Sequence, residues 1–331
     1  MSIAKDSTLI GILGYGERPP ELEAMLALAN DPAVNKVVIF WNKAGAESRA
    51  ILEQLTRECL KISVFFNSEN LGSAGGYAQI LEHFQIHETA PFMLLLDDDL
   101  IPATQCIDKL VASAIRMESN AGDTIHLAYR PGLPEIRDLV ENKIGIPRPR
   151  SSCCVGFHFL NLLHQYREPV RFSETSGQYE IDSAPWGGLF ISRPALEKLG
   201  LPRKDFFLYA EDSELTYRFT LNGGKILLVP DAVISDSQPA WNTVGGRMSN
   251  LRRRVLVLAE VKVFHEVRNR NYIARHYYPG FASTYQMNKY LFLASAYFMG
   301  LMNGKIDRAR LIHRAINAGE KMAADEAGQK K

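Results

Sequence analysis

Residues 91–102, PFMLLLDDDLIP, join a run of apolar residues directly to consecutive aspartates and then to a proline. The apolar run has the length and composition of a buried strand that ends at the aspartates. The carboxylates of Asp97, Asp98 and Asp99 repel one another, so a hard divalent cation such as Mg²⁺ or Mn²⁺ would stabilise them. A solvated acidic turn that begins a helix is the alternative interpretation.

Strand and helix patterns alternate before this stretch. Apolar, β-branched runs predict strands over residues 8–13, 36–40, 62–66 and 92–96. Apolar residues at helical spacing predict helices over residues 21–29, 46–59 and 72–84. The alternation favours an α/β fold with a parallel sheet and helices on both faces. Ligands bind at the carboxyl ends of the strands in such folds, which is where the aspartates fall.

The composition is typical of a globular protein, and the chain has little net charge. Its 331 residues include 38 basic and 37 acidic ones, which gives no support for nucleic-acid binding. The cysteines form no CxxC pair, which favours free thiols in a reducing compartment. The N-terminal apolar stretch is too short for a signal peptide, and the apolar run 290–302 is shorter than the ~20 residues that cross a bilayer. We therefore expect a cytoplasmic protein.

A glycine-rich segment, NSENLGSAGGY at residues 67–77, follows a predicted strand and opens a predicted helix. Gly72 and Gly75 would permit a tight turn and the close approach of a ligand to the backbone, and helix N-terminal amides favour an anion. An ordinary strand-to-helix turn explains the segment equally well. The glycines at 11–16 have the wrong spacing for a dinucleotide fingerprint, and no phosphate-loop motif is present.

A third motif lies at residues 184–219, where a Trp186-Gly187-Gly188 turn precedes a strand and the acidic pair Glu211-Asp212 begins a helix. The helix dipole favours a carboxylate in the first turn, so capping is the simple explanation. A carboxylate beside an acceptor hydroxyl can also act as a general base.

Two single residues follow the first two strands. Arg18 lies in the loop after the first strand and Asn42 ends the second. Each is either a ligand contact or an ordinary turn residue.

Taken together, these segments resemble the glycosyltransferase family 2 enzymes of the galactofuranosyltransferase and rhamnosyltransferase type. The resemblance extends over residues 9–236 and rests on the order of its motifs. The motifs are Arg18-Pro19 after the first strand, Asn70 to Gly76, Asp97 to Asp99 at a strand end, and the Trp-Gly-Gly turn before the acidic pair. The resemblance implies a GT-A fold, which is a Rossmann-like nucleotide-sugar-binding domain with a mixed sheet, followed by a C-terminal helical region.

The resemblance also implies a role for each motif. Asp97 and Asp99 would hold Mn²⁺ or Mg²⁺ on the donor diphosphate, with Asp98 near the ribose. Asp212 would be the general base of an inverting transfer, and Glu211 is the second choice. The residues expected to line the substrates are Arg18, Asn42, Asn70, Gly72 and Gly75 for the donor, and Trp186, Gly187 and Gly188 for the acceptor.

The sequence departs from the family pattern at two positions. The family often carries a histidine after the strand that follows the catalytic helix, and residues 233–237 contain none. Asp236 would replace it as a metal ligand, or His265 would fold back. Glu17 stands where an asparagine usually precedes the arginine, which weakens the expected contact with the base.

We expect a glycosyltransferase domain over residues 1–250, with a donor half over about 1–120 and an acceptor half over about 121–250. A helical region over 251–331 follows, with its last ten residues disordered. The expected donor is UDP-galactofuranose or dTDP-rhamnose, with a slight preference for the former because of the aspartates. The expected acceptor is a glycan or lipid-linked glycan of bacterial capsule or lipopolysaccharide synthesis.

Two other functions remain open. A non-catalytic carbohydrate-binding relative would keep the fold without the reaction. A nucleotide-sugar pyrophosphorylase would need a glycine-rich, arginine-containing loop after the first strand, and GYGERPPEL is a poor version of it.

The C-terminal apolar run 290–302 is compatible with core packing, a homo-oligomer contact or an interfacial helix. The run Arg252-Arg253-Arg254 would suit anionic headgroups at the inner face of the cell membrane.

Overall fold

One mixed sheet dominates the first part of the chain. The structure, a computed structural model, describes residues 5–17, 22–117, 121–237 and 249–329. The strands are β1 (Thr8–Tyr15), β2 (Val34–Asn42), β3 (Ile62–Asn67), β4 (Phe92–Asp97), β5 (Leu100–Pro102), β6 (Thr124–Tyr129), β7 (Arg171–Ser173), β8 (Gln178–Ile181), β9 (Leu189–Ser192) and β10 (Lys225–Asp236). The predicted strands before the aspartates are confirmed, with boundaries that differ by at most a few residues.

Helices connect these strands and then continue to the end of the described chain. They are α1 (Leu22–Asn30), α2 (Ala46–Glu58), α3 (Gly72–His87), α4 (Cys106–Arg116), α5 (Pro134–Asn142), α6 (Arg193–Leu199), α7 (Glu211–Leu221), α8 (Asn250–Leu256), α9 (Glu260–Tyr277), α10 (Ala282–Met302) and α11 (Ile306–Gln329). Within the described residues, none of them has both the length and the hydropathy of a membrane-spanning segment.

The strand order is β3-β2-β1-β4-β9-β6-β10-β8-β7, with β5 paired to β10. β3, β2, β1 and β4 are parallel, as the alternation of elements predicts. β9 lies antiparallel between β4 and β6, and β8 is antiparallel to β10. β6 and β10 also pair in parallel. The sheet is therefore mixed, as the family resemblance implies, and the parallel pairing favoured by the alternation is interrupted by the antiparallel strands β9 and β8.

Burial explains why the central strands read as continuous apolar runs. Leu9, Ile10, Leu94 and Leu95 have no exposed surface, because central strands of a parallel sheet are covered on both faces. The parallel register places Leu13 opposite Asp97. The carboxyl ends of β1 and β4 therefore reach the same edge of the sheet.

The chain divides into two compact units. The first, which contains the sheet, comprises Met1–Ile144, Val170–Phe207 and Glu211–Ala240. The second, which contains the C-terminal helices, comprises Gly145–Pro169, Leu208–Ala210 and Trp241–Lys331. The boundary expected at residue 250 stays a prediction, and the second unit also takes in residues 145–169 and 208–210.

Within the second unit, α9 and α11 pack against each other around buried residues such as Val267 and Ile316. The last helix continues to Gln329, although the sequence predicts disorder over the last ten residues. The hydroxyl of Tyr272 donates a 2.5 Å hydrogen bond to Glu326, and Ala323 is buried. These contacts attach the final turns of α11 to α9.

Candidate active site

The aspartates lie at the carboxyl edge of the sheet, as predicted. Asp97 ends β4, and Asp98 and Asp99 form the turn into β5. β5 pairs with the end of β10, which places Leu100 opposite Asp236. The backbone amide of Ser237 donates a 2.8 Å hydrogen bond to the carbonyl oxygen of Asp99. Asp236 is therefore next to the aspartates, although it is far from them in sequence.

An arginine that sequence reasoning missed joins two of these carboxylates. Arg130 directly follows β6, and only 9% of its side chain is exposed. Its Nε donates to both carboxylate oxygens of Asp236 at 3.1 Å, Nη2 donates to the same carboxylate, and Nη1 lies 3.6 Å from Oδ2 of Asp97. A charged residue immediately after a buried strand was the available signal. Arg130 offsets part of the acidic charge at the site.

Tyr77 supports Asp97 from helix α3. Its hydroxyl donates a 2.6 Å hydrogen bond to Oδ1 of Asp97. Burial, and then the nearby Asp97 charge, raise the pKa of Tyr77 well above its ordinary value, so the phenol remains a donor. The loss of solvent around the carboxyl of Asp97 raises its pKa, while the hydrogen bond from Tyr77 and the charge of Arg130 oppose that rise.

The Trp-Gly-Gly turn lies between the aspartates and the acidic helix. The ring of Trp186 stacks on Tyr77 with centroids 4.5 Å apart and an angle of 19° between the planes. Its Nε1 donates a 3.2 Å hydrogen bond to Oε1 of Glu211. A Cβ on Gly187 would lie 3.0 Å from Oδ2 of Asp97, so the absence of a side chain there allows the turn to approach the carboxylate. The backbone amide of Gly188 donates a 2.8 Å hydrogen bond to Leu95, which ties the turn to β4.

The two members of the acidic pair have different surroundings. Glu211 is only 3% exposed, and its Oε1 also accepts a hydrogen bond from Ser73. Its Oε2 is buried and has no hydrogen-bond partner among the described residues. Burial, and then the charge of Asp212, raise the pKa of Glu211 to about 8, which favours the protonated form of Glu211. Asp212 is partly exposed, and its Oδ1 accepts a 2.6 Å hydrogen bond from the amide of Ser213.

The glycine-rich helix start differs from the expectation. Gly72 has a φ of +67°, and a Cβ on it would overlap the carbonyl oxygen of Phe207. A Cβ on Gly75 would lie 2.7 Å from the Cβ of Leu71. Protein atoms therefore fill the space that these glycines were expected to open to a ligand. Close packing around the first turn of α3 is the physical reason for the glycines.

The two predicted asparagines stabilise the same turn. Oδ1 of Asn70 accepts a 2.9 Å hydrogen bond from the amide of Gly72, and Nδ2 of Asn42 donates to the carbonyl of Gly72 at 3.1 Å. Asn42 is only 2% exposed, and its Oδ1 accepts a hydrogen bond from Asn67. What the structure shows for Asn42 is a positioning contact, and its contact with a nucleotide stays a prediction.

The remaining predicted residues differ in their location and exposure. Arg18 lies outside the described residues. Asp98 and Asp99 are partly exposed, whereas Asp236 is paired with Arg130. His265 lies in α9, within the second unit.

The carboxylates at the strand end are the oxygen donors that a divalent cation prefers. Over the described ranges, no group of three or more His, Cys, Asp and Glu side chains is arranged to hold a metal ion. Mg²⁺ is typically held by one or two carboxylates together with waters and substrate phosphates, and not by an all-protein cage. Asp97 and Asp99 supply two carboxylates near one strand end, and the ligand roles predicted for Asp97, Asp99 and Asp236 all stay predictions.

The mixed sheet and the acidic strand end define a GT-A fold, the nucleotide-sugar-binding fold of glycosyltransferases. Residues 21–256 match the family described as "Glycosyltransferase like family 2", and the chain belongs to this family. The family-level resemblance is confirmed. No curated protein shows a significant match to the chain.

The GalNAc-T7 structure agrees with this fold. A structure of GalNAc-T7 with UDP, GalNAc and Mn²⁺ aligns with a TM-score of 0.52 and 14% identity, covering 89% of this chain and 57% of that one. The chain thus corresponds to a little over half of the GalNAc-T7 chain. The mannosyltransferase PcManGT from Pyrobaculum calidifontis, in complex with GDP-Man and Mn²⁺, aligns with a TM-score of 0.48 and 15% identity, covering 97% of this chain and 79% of that one. At such identities the GalNAc-T7 likeness establishes the fold alone.

Proposed function

We propose that the protein is an inverting glycosyltransferase that moves a sugar from a nucleotide-sugar donor to an acceptor hydroxyl. The observation that carries the proposal is a continuous series of contacts from Asp97 through Tyr77 and Trp186 to Glu211. It brings the predicted metal motif, the predicted acceptor turn and the predicted catalytic helix into one site.

In this proposal Asp97 and Asp99 hold Mn²⁺ or Mg²⁺, and Asp98 lies near the donor ribose. When bound, the ion offsets negative charge on the departing nucleoside diphosphate. Arg130 and Tyr77 each contact Asp97, and together they fix the orientation of its carboxylate. The proposal draws support from GalNAc-T7, whose structure contains UDP and Mn²⁺ on the same fold. We therefore place a UDP-linked donor ahead of a dTDP-linked one.

We assign the general base to Asp212 and not to Glu211. A base must be ionised to accept the proton of the attacking hydroxyl. The raised pKa of about 8 favours the protonated form of Glu211, and its buried position gives it little access to an acceptor. Asp212 begins the same helix and is partly exposed. The role of Glu211 in the proposal is to hold Trp186 through Oε1.

The narrower features of the proposal come from the family resemblance. They are a galactofuranose or rhamnose donor, a glycan or lipid-linked glycan acceptor contacted by Trp186, Gly187 and Gly188, and a cytoplasmic role in bacterial surface polysaccharide synthesis. Asn42, Asn70, Gly72 and Gly75 would act in donor binding by shaping the turn that precedes α3.

Calorimetric titration of UDP and dTDP, each with and without Mn²⁺, tests the donor site. We expect UDP to bind more tightly with Mn²⁺, and we expect Asp97→Ala/Asp99→Ala to remove the effect of the metal. Asp325→Ala, a change at an exposed position of α11, is the control and should bind as the wild type does. Absence of binding by either nucleotide would refute the donor site.

A test of turnover separates the proposal from a non-catalytic carbohydrate-binding relative. Hydrolysis or transfer of the sugar from UDP-galactofuranose should be measurable in the wild type and lost in Asp212→Asn, while UDP binding is retained. Binding without turnover toward any acceptor tested would favour the non-catalytic relative. Formation of a nucleotide sugar from nucleoside triphosphate and sugar phosphate would instead identify a pyrophosphorylase.

A further inference from the structure

The second unit exposes an apolar face along α10. Large apolar side chains recur at intervals of about three or four residues on one side of this helix, and between 41% and 71% of each is exposed. This α10 face consists of Met287, Tyr290, Leu291, Phe298, Leu301 and Met302. It extends over about 22 Å of helix, given a rise of about 1.5 Å per residue. Monomeric soluble proteins rarely expose a contiguous apolar patch of this kind without a use for it.

No charge interrupts this face. The only charged residue of α10 is Lys289, and it is turned inward. Its Nζ donates hydrogen bonds of 2.8 and 2.9 Å to Glu320 and one of 3.0 Å to Asn317. The side of α10 that contains Lys289 is packed within the unit, where Phe292 and Ala296 are buried.

A basic edge runs beside the α10 face on α11. The two helices contact each other through Tyr297 and His313, whose hydroxyl oxygen and Nδ1 are 3.2 Å apart. Three exposed cations, Arg310, Arg314 and Lys321, follow this side of α11 toward solvent and form a basic edge, and the exposed acids Asp307 and Asp325 lie at its two ends. Arg310 is paired at the surface with Asp307 at 2.8 Å. The spacing of four and seven residues places all three cations on one side of the helix.

We propose that the α10 face and the basic edge form a docking surface for an anionic lipid bilayer, on which α10 lies in the plane of the interface. Helices that lie on membranes bury an apolar face in the boundary between headgroups and acyl chains, and basic residues contact anionic headgroups. Tyr290 and Phe298 supply the aromatic side chains, and Tyr290 carries a hydroxyl for the wet side of the boundary. Long arginine and lysine side chains can reach the headgroups while their stems cover apolar surface.

A second copy of the chain fits this surface less well. In a two-fold antiparallel pair of α10 helices, the α11 helices of the two copies would lie on the same side. Arg310, Arg314 and Lys321 would then face their equivalents, and like charges across an interface are unfavourable. A bilayer with anionic headgroups meets the same residues with opposite charge.

This proposal does not depend on the proposed sugar transfer, because α10 and α11 belong to the second unit and the donor-site residues to the first. The test is co-sedimentation of the full chain with vesicles of phosphatidylcholine, alone or mixed with phosphatidylglycerol. We expect binding to the mixed vesicles that weakens as salt is added, and much weaker binding to phosphatidylcholine alone.

Variants of the two parts of the surface sharpen the test. Tyr290→Ser/Phe298→Ser should weaken binding about a hundredfold, because each aromatic side chain loses its burial in the bilayer. Arg310→Gln/Arg314→Gln/Lys321→Gln should weaken binding about fivefold per residue, and only with phosphatidylglycerol present. The matched control is Leu60→Ser/Ile86→Ser, which removes apolar residues that are 97% and 70% exposed elsewhere and should leave binding unchanged.

Two results would overturn the proposal. One is that the wild type does not sediment with either kind of vesicle, or that Tyr290→Ser/Phe298→Ser sediments as well as the wild type does. The other is light scattering that shows a dimer in the wild type and a monomer in Tyr290→Ser/Phe298→Ser, with no vesicle binding by either. All substituted side chains are exposed, so the thermal unfolding temperature should be unchanged in every variant. If Tyr290→Ser/Phe298→Ser nevertheless unfolds, the variant of the basic edge tests the proposal separately.

Discussion

Glu211→Gln isolates the consequence of a protonated carboxyl beside the predicted catalytic base. The amide keeps an acceptor oxygen for Trp186 and Ser73, and it remains neutral at every pH. In the wild type, burial raises the pKa of Glu211 to about 8, from an ordinary value near 4.5. Between these values the folded protein holds a proton that the unfolded chain releases, so the stability contributed by this group falls as pH rises.

The pH range between the ordinary and the raised pKa of Glu211 determines how much stability is lost. Wild-type Glu211 contributes its full stability below about pH 4.5 and loses it progressively up to about pH 8. Each pH unit inside the window is worth about 1.4 kcal/mol, so the wild type should lose about 2–3 kcal/mol between pH 6 and pH 8 through this group. Glu211→Gln should escape this loss. The variant should therefore gain stability relative to the wild type as pH rises.

Thermal unfolding of both proteins between pH 6 and pH 9 measures this difference. Glu197→Gln, at an exposed position of α6, serves as a control for loss of a carboxylate and should track the wild type. Turnover by Glu211→Gln at neutral pH should stay within about tenfold of the wild type if Asp212 is the base. A difference in melting temperature that does not change with pH would refute the assignment of a protonated Glu211.

Three other substitutions test separate parts of the site. Asp212→Asn should lower kcat by about 10²- to 10⁴-fold while calorimetry shows UDP binding unchanged, because only the proton acceptor is removed. Arg130→Met should destabilise the fold by about 3 kcal/mol in chemical denaturation, because it leaves the buried carboxylate of Asp236 without its partner, and should also weaken Mn²⁺-dependent UDP binding. Gly72→Ala should cost more than about 2 kcal/mol, because it adds a collision with the carbonyl of Phe207 to the left-handed φ of +67°. Gly304→Ala has a similar φ of +64° with no atom within 4 Å of the added Cβ, so it should cost only about 1–2 kcal/mol, and equal losses in the two variants would contradict this explanation.

The sequence by itself determined the local elements and the chemistry available to them. The strand ending at Asp97, the helix beginning at Gly72 and the helix beginning at Glu211 all lie where the sequence predicts them. This follows because strand and helix periods, turn residues and caps are properties of neighbouring residues. The position of the aspartates at the edge of the sheet follows from the parallel strands before them.

Only the tertiary structure decided which side chains meet and which are buried. Arg130 and Asp236 are 106 residues apart in sequence, and they meet because β6 and β10 are neighbours in the sheet. The insertion of β9 between β4 and β6 brings Gly187 against Asp97, an arrangement that no local pattern specifies.

Sequence patterns also could not predict which of these side chains are buried. Glu211 and Asp212 are adjacent acids in the same helical turn, yet Glu211 is buried and bonded to Trp186 and Ser73, whereas Asp212 is partly exposed. Likewise the apolar residues of α10 fit a core helix as well as an exposed one until its neighbours are known. A residue's solvation depends on atoms supplied by distant parts of the chain, and that is why the protonation of Glu211 and the exposure of the α10 face required the folded molecule.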